Sequence, residues 1–227
     1  MDEKTARALL DQVARGEVSP EAALDAIRTE PFLKLVEGVT LDPHRGMRTG
    51  LGEVVYGRGK TRRQLLACVE GLARRERPVL VTRLTASQGE VLHQAFPAGE
   101  FWDQAGLFVL GRSLPLEEPW PERGDVVVVS AGASDLRVAL EALGTALFLG
   151  ADAGLVSDVG VAGIHRLEPH LAALRAAKLL IVVAGMEGAL PSVLGGLCGR
   201  PIIAVPTSVG YGASFGGLAA LLAMLNS

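Results

Sequence analysis

The sequence predicts an α/β protein, with a C-terminal three-layer domain on a parallel sheet preceded by a smaller α+β domain. Three observations carry that prediction. Val126-Val-Val-Val-Ser130 is an unbroken β-branched run of the kind found in a strand buried on both faces. From there to the end of the chain, strand-like runs alternate with helical stripes. Before it, Arg112–Gly124 has the composition of a linker, with Pro115, Pro119, Pro121 and the pair Glu117-Glu118. The boundary is placed there, giving domains over 1–118 and 124–227.

A chain of 227 residues can form one or two domains. It is 49% hydrophobic but only 4% aromatic, so its cores are predicted to be Ala, Val, Leu and Ile. A net charge of −3 and a pI near 5.8 give no electrostatic reason to expect nucleic acid or an anionic membrane as partner. Two cysteines, Cys68 and Cys198, make no disulfide framework, and Met1-Asp-Glu-Lys4 is too acidic to open a secretory signal. The expected location is the cytoplasm. The last 49 residues carry only two charges, Glu187 and Arg200, but Pro191, Pro201, Pro206 and nine glycines interrupt them. That stretch is expected to be buried core, shared in part between subunits, and no membrane span.

Residues 1 to about 30 are predicted as two short helices. Leu9, Leu10 and Val13 form one apolar face, Gly16 ends it, and Ser19-Pro20-Glu21 is a helix start with proline at the first position. Across Asp42–Arg63 the cations Arg45, Arg48, Arg58, Lys60, Arg62 and Arg63 face only Asp42 and Glu53. Glycines between them allow these side chains to converge on an anion, although a solvated loop would have the same composition. Thr61-Arg-Arg-Gln64 and Thr85-Ala-Ser-Gln88 are capping boxes. Leu65, Leu66, Val69 and Leu72 continue the first as a helical stripe in which Cys68 is a packing residue. Pro78–Thr82, Phe101-Trp102 and Gly106–Leu110 are strand-like.

In the second domain, strands are predicted at Asp125–Ser130, Ala153–Val156, Leu179–Ala184 and Pro201–Val205. The helices between and after them carry Leu136, Leu140, Leu143 and Leu147 on the first, then span about Ala162–Ala176, Ala189–Leu197 and Ser214–Asn226. Four β-α units imply right-handed crossovers, with ligands at the carboxyl ends of the strands. The segments at those ends are Ser130–Asp135, Asp158–Arg166, Gly185–Pro191 and Pro206–Gly217. In the first, Gly132 permits close backbone approach and Ser134 is positioned to cap a helix beginning near Asp135, whose amide end suits a phosphate. Taken alone, a plain cap and bend explain that turn equally well. Four glycine-rich segments with one carboxylate and one imidazole at a single sheet edge are what proton transfer on a phosphorylated ligand needs.

Ser130-Ala-Gly-Ala-Ser-Asp135, His165-Arg166, Ala184-Gly-Met-Glu-Gly-Ala-Leu-Pro-Ser192 and Ile203-Ala-Val-Pro206 resemble, in order and spacing, the nucleotide-binding motifs of PurE-type aminoimidazole ribonucleotide carboxylases and mutases. Asp42–Thr61, Asp158–Arg166 and Val183–Asn226 look more like the LarB family, pyridinium-3,5-biscarboxylic acid mononucleotide synthases with an extra N-terminal domain. The resemblance runs from about residue 40 to the C-terminus. It implies a flavodoxin/PurE-like C-terminal domain and a homo-oligomer, an octamer in the family core. It further implies carboxylation of nicotinic acid adenine dinucleotide with CO2 or bicarbonate and hydrolysis of its phosphoanhydride, releasing AMP, with Mg²⁺ and no organic cofactor.

A pyridinium carbon is electron-poor, so a thiolate must first add to the ring to make a nucleophilic enamine. Glu187, in a glycine-lined loop, is then the expected base, and His165 the next candidate for proton transfer. By the same resemblance the substrate contacts are Gly132, Ser134, Asp135, Arg166, Gly185, Met186, Gly188, Ala189, Leu190, Pro191, Thr207, Ser208 and Tyr211, with Arg45 and Arg48 on a carboxylate or pyrophosphate. The family's nucleophilic cysteine follows Leu-Asn-Ser directly, and this chain reaches Ser227 there. Cys198 is expected to be structural. The expectation is binding without carboxylation, with activity conferred by a tail beginning with Cys. Two other functions stay open: an aminoimidazole ribonucleotide carboxylase or mutase, and a non-catalytic nucleotide-binding or assembly protein.

Overall fold

Valine branched at Cβ favours extended backbone, and Val126–Ser130 is indeed the strand about which the larger half of the chain is built. The structure is a computed structural model describing residues 3–28, 33–36, 38–42, 45–74, 78–115 and 119–227. Pro43 and His44 of the basic segment and Glu117-Glu118 of the linker lie outside the described residues. The chain forms two compact units, Met1–Asp103 with Phe108–Ser113, and Gln104–Leu107 with Leu114–Ser227.

The first unit begins with helices α1 (Glu3–Ala14) and α2 (Pro20–Arg28), where the Ser19 hydroxyl accepts the Ala22 amide at 3.1 Å. Leu10, assigned above to an apolar face, is exposed. An antiparallel pair, β1 (Leu33–Val36) and β2 (Val39–Leu41), leads to the short α3 (Arg45–Thr49). Then follow β3 (Val55–Tyr56), α4 (Arg62–Ala73), β4 (Val79–Thr82), α5 (Ala86–Ala95), β5 (Glu100–Trp102) and β6 (Leu107–Leu110). The last four strands form a mixed sheet of order β3-β4-β6-β5, with β3 and β4 parallel and β4 and β6 antiparallel. Both predicted capping boxes are formed, at Thr61/Gln64 and Thr85/Gln88. Cys68 packs in the core beside Leu65, Val69 and Phe108.

In the second unit β7 (Val126–Ser130) pairs in parallel with β8 (Ala153–Val156) on one side and β9 (Leu179–Ala184) on the other. Strand β10 (Ile202–Pro206) completes the order β10-β9-β7-β8. Helix α6 (Leu136–Phe148) lies against β7 and β8. Val127 and Val129 pack instead with Leu174 of α7 (Leu171–Ala176) and with Leu190 and Leu194 of α8 (Leu190–Cys198). Helix α9 (Leu218–Leu225) lies against β10. Val127, Val128 and Val129 are all fully buried, as a strand covered on both faces requires. Each contributes about 1.5–3 kcal/mol of apolar burial.

Three helix assignments need correction. Ala162–Ala176 is not one helix but two 3-10 turns, Val161–Arg166 and Glu168–His170, ahead of α7, because Gly163 leaves helical backbone (φ −129°, ψ 53°) and Pro169 lacks an amide hydrogen. At the C-terminus α9 begins only at Leu218, since Phe215, Gly216 and Gly217 all have positive φ. Ser134 does not cap a helix; it lies inside a 3-10 turn, Ala133–Asp135, and α6 starts after Asp135. Among the described residues no helix is long and apolar enough to cross a membrane.

Strand β8 has no room for a side chain at Gly154, where a Cβ would fall 2.2 Å from the Pro121 carbonyl and 2.3 Å from that of Arg123. The Pro121 carbonyl accepts the Leu155 amide at 2.9 Å, so this close approach is bonded. Replacing Gly154 with Ala should destabilise the protein by about 1–3 kcal/mol, read as a lower urea midpoint at an unchanged m-value.

Candidate functional site

The chain leaves β7 toward β8 on one side and leaves β9 toward β10 on the other, so the loops after β7 and β9 diverge and leave a crevice between them. A cavity of about 390 Å³ occupies that position. All four predicted segments contribute to its wall: Ala131–Asp135, then Asp158 with Gly160–Ala162 and Arg166, then Ala184–Glu187 with Ala189 and Leu190, and finally Val209–Tyr211.

Backbone bonds stitch the segments together. Ala131 donates to the Val183 carbonyl at 2.9 Å, Val159 to Ser130 at 3.1 Å, Thr207 to Ala184 at 3.0 Å and Met186 to Val209 at 2.9 Å. Glycine makes two of these approaches possible. A Cβ on Gly185 would sit 2.0 Å from the Val209 carbonyl oxygen, and one on Gly160 would sit 2.8 Å from that of Ala131. Two lining residues other than glycine, Asp158 (φ 58°) and Met186 (φ 51°), adopt left-handed backbone. Such conformations cost about 1–3 kcal/mol each and concentrate where function holds the chain in place.

The cavity's charges divide into satisfied and free groups. Asp135 is buried and accepts from the Gly132 amide at 3.1 Å and the Thr207 hydroxyl at 2.6 Å. Asp158 is held by Arg166 at 2.5 Å, and Gly163 makes room for that guanidinium. Glu187 is exposed, lines the cavity and has no hydrogen-bond or ion-pair partner among the described residues. The glycine-lined loop therefore leaves Glu187 open to solvent in the chain by itself. No group of three or more His, Cys, Asp or Glu side chains gathers to hold a metal among the described residues. These residues do not fit a preformed Mg²⁺ cage.

Residues 34–112 match the LarB/PurE-like N-terminal domain family. The chain is also 32% identical over 237 aligned positions to an uncharacterised protein of Methanocaldococcus jannaschii, covering 99% of this chain and 88% of that relative. The chain belongs to the LarB family. That membership makes its function carboxylase/mutase-related and its chemistry carboxylase-type.

For this LarB-family chain the structure gathers Gly132, Ser134, Asp135, Arg166, Gly185, Met186, Glu187, Ala189, Leu190 and Tyr211 around one cavity. It does not bring His165 there: that side chain is exposed and outside the wall, although its neighbour Arg166 is part of it. Nor do Gly188, Pro191, Thr207 and Ser208 line it. Gly188, with φ 64°, lets α9 approach, since a Cβ there would be 2.7 Å from the Ala220 carbonyl. Pro191 is buried in the first turn of α8, Thr207 is buried against Asp135, and Ser208 is exposed.

Arg45 and Arg48 belong to the other unit. Arg48 is ion-paired with Asp42, its Nη1 donating to Oδ1 at 3.2 Å, and Arg45 is exposed. Among the lining residues sequence reasoning passed over, Asp158 had a usable signal: aspartate tolerates left-handed backbone and here opens a loop at a strand end.

Neither cysteine is placed to act as a nucleophile. Burial pushes both thiols above their ordinary value, against a smaller opposing pull from Lys60 at Cys68 and from Arg175 and Arg200 at Cys198. Cys198 ends α8, about 12 Å along the axis from the cavity-lining Leu190. With thiolate disfavoured at neutral pH, alkylation of the native protein by iodoacetamide at pH 7.5 should leave both cysteines unmodified over a time that fully labels the urea-unfolded chain, as peptide mass spectrometry would report.

Proposed function

We propose that this protein carboxylates the pyridinium ring of nicotinic acid adenine dinucleotide with CO2 and hydrolyses its phosphoanhydride, giving pyridinium-3,5-biscarboxylic acid mononucleotide and AMP. The observation that carries the reading is the division of charge in the cavity. Of three lining carboxylates, Asp135 and Asp158 are committed to internal partners, and Glu187 alone is left to move a proton.

In this reading the Ser134 hydroxyl, the Gly132–Asp135 turn and Arg166 receive the nucleotide phosphate. A thiolate adds to a ring carbon: its electron pair forms the C–S bond while a ring π pair moves onto the pyridinium nitrogen, and the resulting neutral dihydropyridine is an enamine. The enamine carbon attacks CO2 and a C–C bond forms. Glu187 then takes the proton from the carboxylated carbon, the released electron pair re-forms the ring double bond, and the C–S bond breaks to return the thiolate. Cys68 and Cys198 are buried, so the thiolate in this reading is the one that the family resemblance implies after Leu-Asn-Ser. The Ser227 hydroxyl is 2.5 Å from that of Ser192, in the first turn of α8, two residues beyond the cavity-lining Leu190.

The reading includes a second copy of the chain. Ile203 on the edge strand β10 and Leu218, Leu221, Leu222 and Leu225 on α9 are exposed, as are Tyr211 and Phe215, an apolar surface that a homo-oligomer would bury.

The deciding experiment supplies nicotinic acid adenine dinucleotide and bicarbonate to the chain carrying a C-terminal tail that begins with Cys, and identifies products by mass spectrometry. Biscarboxylated mononucleotide and AMP are expected, and the Glu187→Gln variant should lose about 10²–10⁴-fold in kcat with little change in KM. Carboxylation of aminoimidazole ribonucleotide instead would replace this reading with the purine-pathway one, and binding with no product from either substrate would leave a nucleotide-binding protein.

A further inference from the structure

Asp135 is the one buried charged side chain among the described residues, with 4% of its surface exposed. A carboxylate out of water needs partners for both oxygens, and it has them. Oδ2 accepts the Gly132 amide at 3.1 Å, and Oδ1 accepts the hydroxyl of Thr207, 72 residues along the chain, at 2.6 Å. Thr207 is itself buried and is not part of the cavity wall. Its amide donates to the Ala184 carbonyl at 3.0 Å, and two residues on, the Val209 carbonyl accepts the Met186 amide at 2.9 Å. Gly185 lies under this junction, where a Cβ would be 2.7 Å from the Thr207 hydroxyl. One side-chain bond therefore joins the turn after β7 to the loop after β10, which in turn is stitched to the loop bearing Glu187.

We propose that Thr207, which does not line the cavity, is a positioning residue: its buried hydroxyl, bonded to the Asp135 carboxylate, fixes the Gly132–Asp135 turn against the 207–210 loop and so sets the spacing between Ser134 and Glu187. The dinucleotide as probe rests on the function proposed above; the positioning role is read separately, from the unliganded protein.

Thr207→Val keeps the shape of the side chain and removes the donor, whereas Thr207→Ser keeps the donor. Amide hydrogen exchange of the unliganded chain, resolved by NMR, should be at least tenfold faster at Gly132 and Met186 in Thr207→Val, unchanged at Val127–Val129, and restored by Thr207→Ser. Affinity for nicotinic acid adenine dinucleotide, by calorimetry, should fall at least tenfold in the valine variant and return to within threefold of wild type in the serine variant. Unchanged exchange at Gly132 and Met186 would overturn the proposal, whether or not affinity falls. Faster exchange throughout β7 would overturn it too, as a general loss of core stability. If the wild-type chain binds no dinucleotide, the proposed function fails, and the exchange measurement alone still decides the positioning role. If Thr207→Val does not fold, Asp135→Asn decides it by the same exchange at Gly132: faster exchange supports the pair, and unchanged exchange overturns it.

Discussion

Burial of β7 on both faces is the constraint from which the site follows. Covered on both faces, this strand of four valines gives its backbone hydrogen bonds to two parallel neighbours, and β8 and β9 take both sides of it. With right-handed crossovers, the connections β7 to β8 and β9 to β10 run to opposite faces, and the loops at the carboxyl ends of β7 and β9 separate. The crevice is thus a product of topology before any side chain lines it. Chemistry then depends on which residues occupy the loop tips.

What closes the crevice to a defined shape is the exclusion of Cβ atoms. Val209 reaches the Gly185 backbone and Ala131 reaches Gly160 at distances no alanine would allow. Those contacts place carbonyl oxygens where neighbouring amides can bond them, so the loops gain fixed positions without regular secondary structure. Met186 and Asp158 take left-handed backbone within the same loops, a strain that the surrounding bonds hold in place. The cavity wall is hydrogen-bonded backbone carrying a few polar tips, an arrangement that lowers the entropy cost of binding a ligand.

The parts of this molecule legible in its sequence are those decided by neighbours in sequence. Valine runs marked β7 and β9, and the Thr61/Gln64 and Thr85/Gln88 boxes marked the starts of α4 and α5, because strand propensity and capping act over a few residues. The four loop segments were legible as ligand-facing because strand direction fixes which ends carry them. Which side chain within each segment faces the cavity was not. His165 and Arg166 are adjacent, yet only Arg166 lines it, since Gly163 breaks the turn and seats its guanidinium beside Asp158. Ser134 had the composition of a cap, but Asp135 bonding back to Gly132 tightened the turn to 3-10 geometry and left the serine outside the helix. The partner of Asp135 lies 72 residues away, and no local pattern encodes such a pair.

Charge on the cavity wall bears on how a phosphorylated ligand can be accepted at all. Asp135, Asp158 and Glu187 against Arg166 would repel an anion if all four were free. Asp135 is hydrogen-bonded by an amide and a hydroxyl, Asp158 is ion-paired with Arg166, and Glu187 is the lining carboxylate left without a partner. In the function proposed above, a base acting on a ring carbon needs to face the ring, while the phosphate needs the amide end of the turn. Asp135 and Glu187 sit in different loops, after β7 and after β9, and this separation allows one wall to bind negative charge while the other supplies it. In the proposed function the two roles do not exchange: both Asp135 oxygens are already taken by internal donors, and an exposed carboxylate in the turn proposed for the phosphate would repel that group.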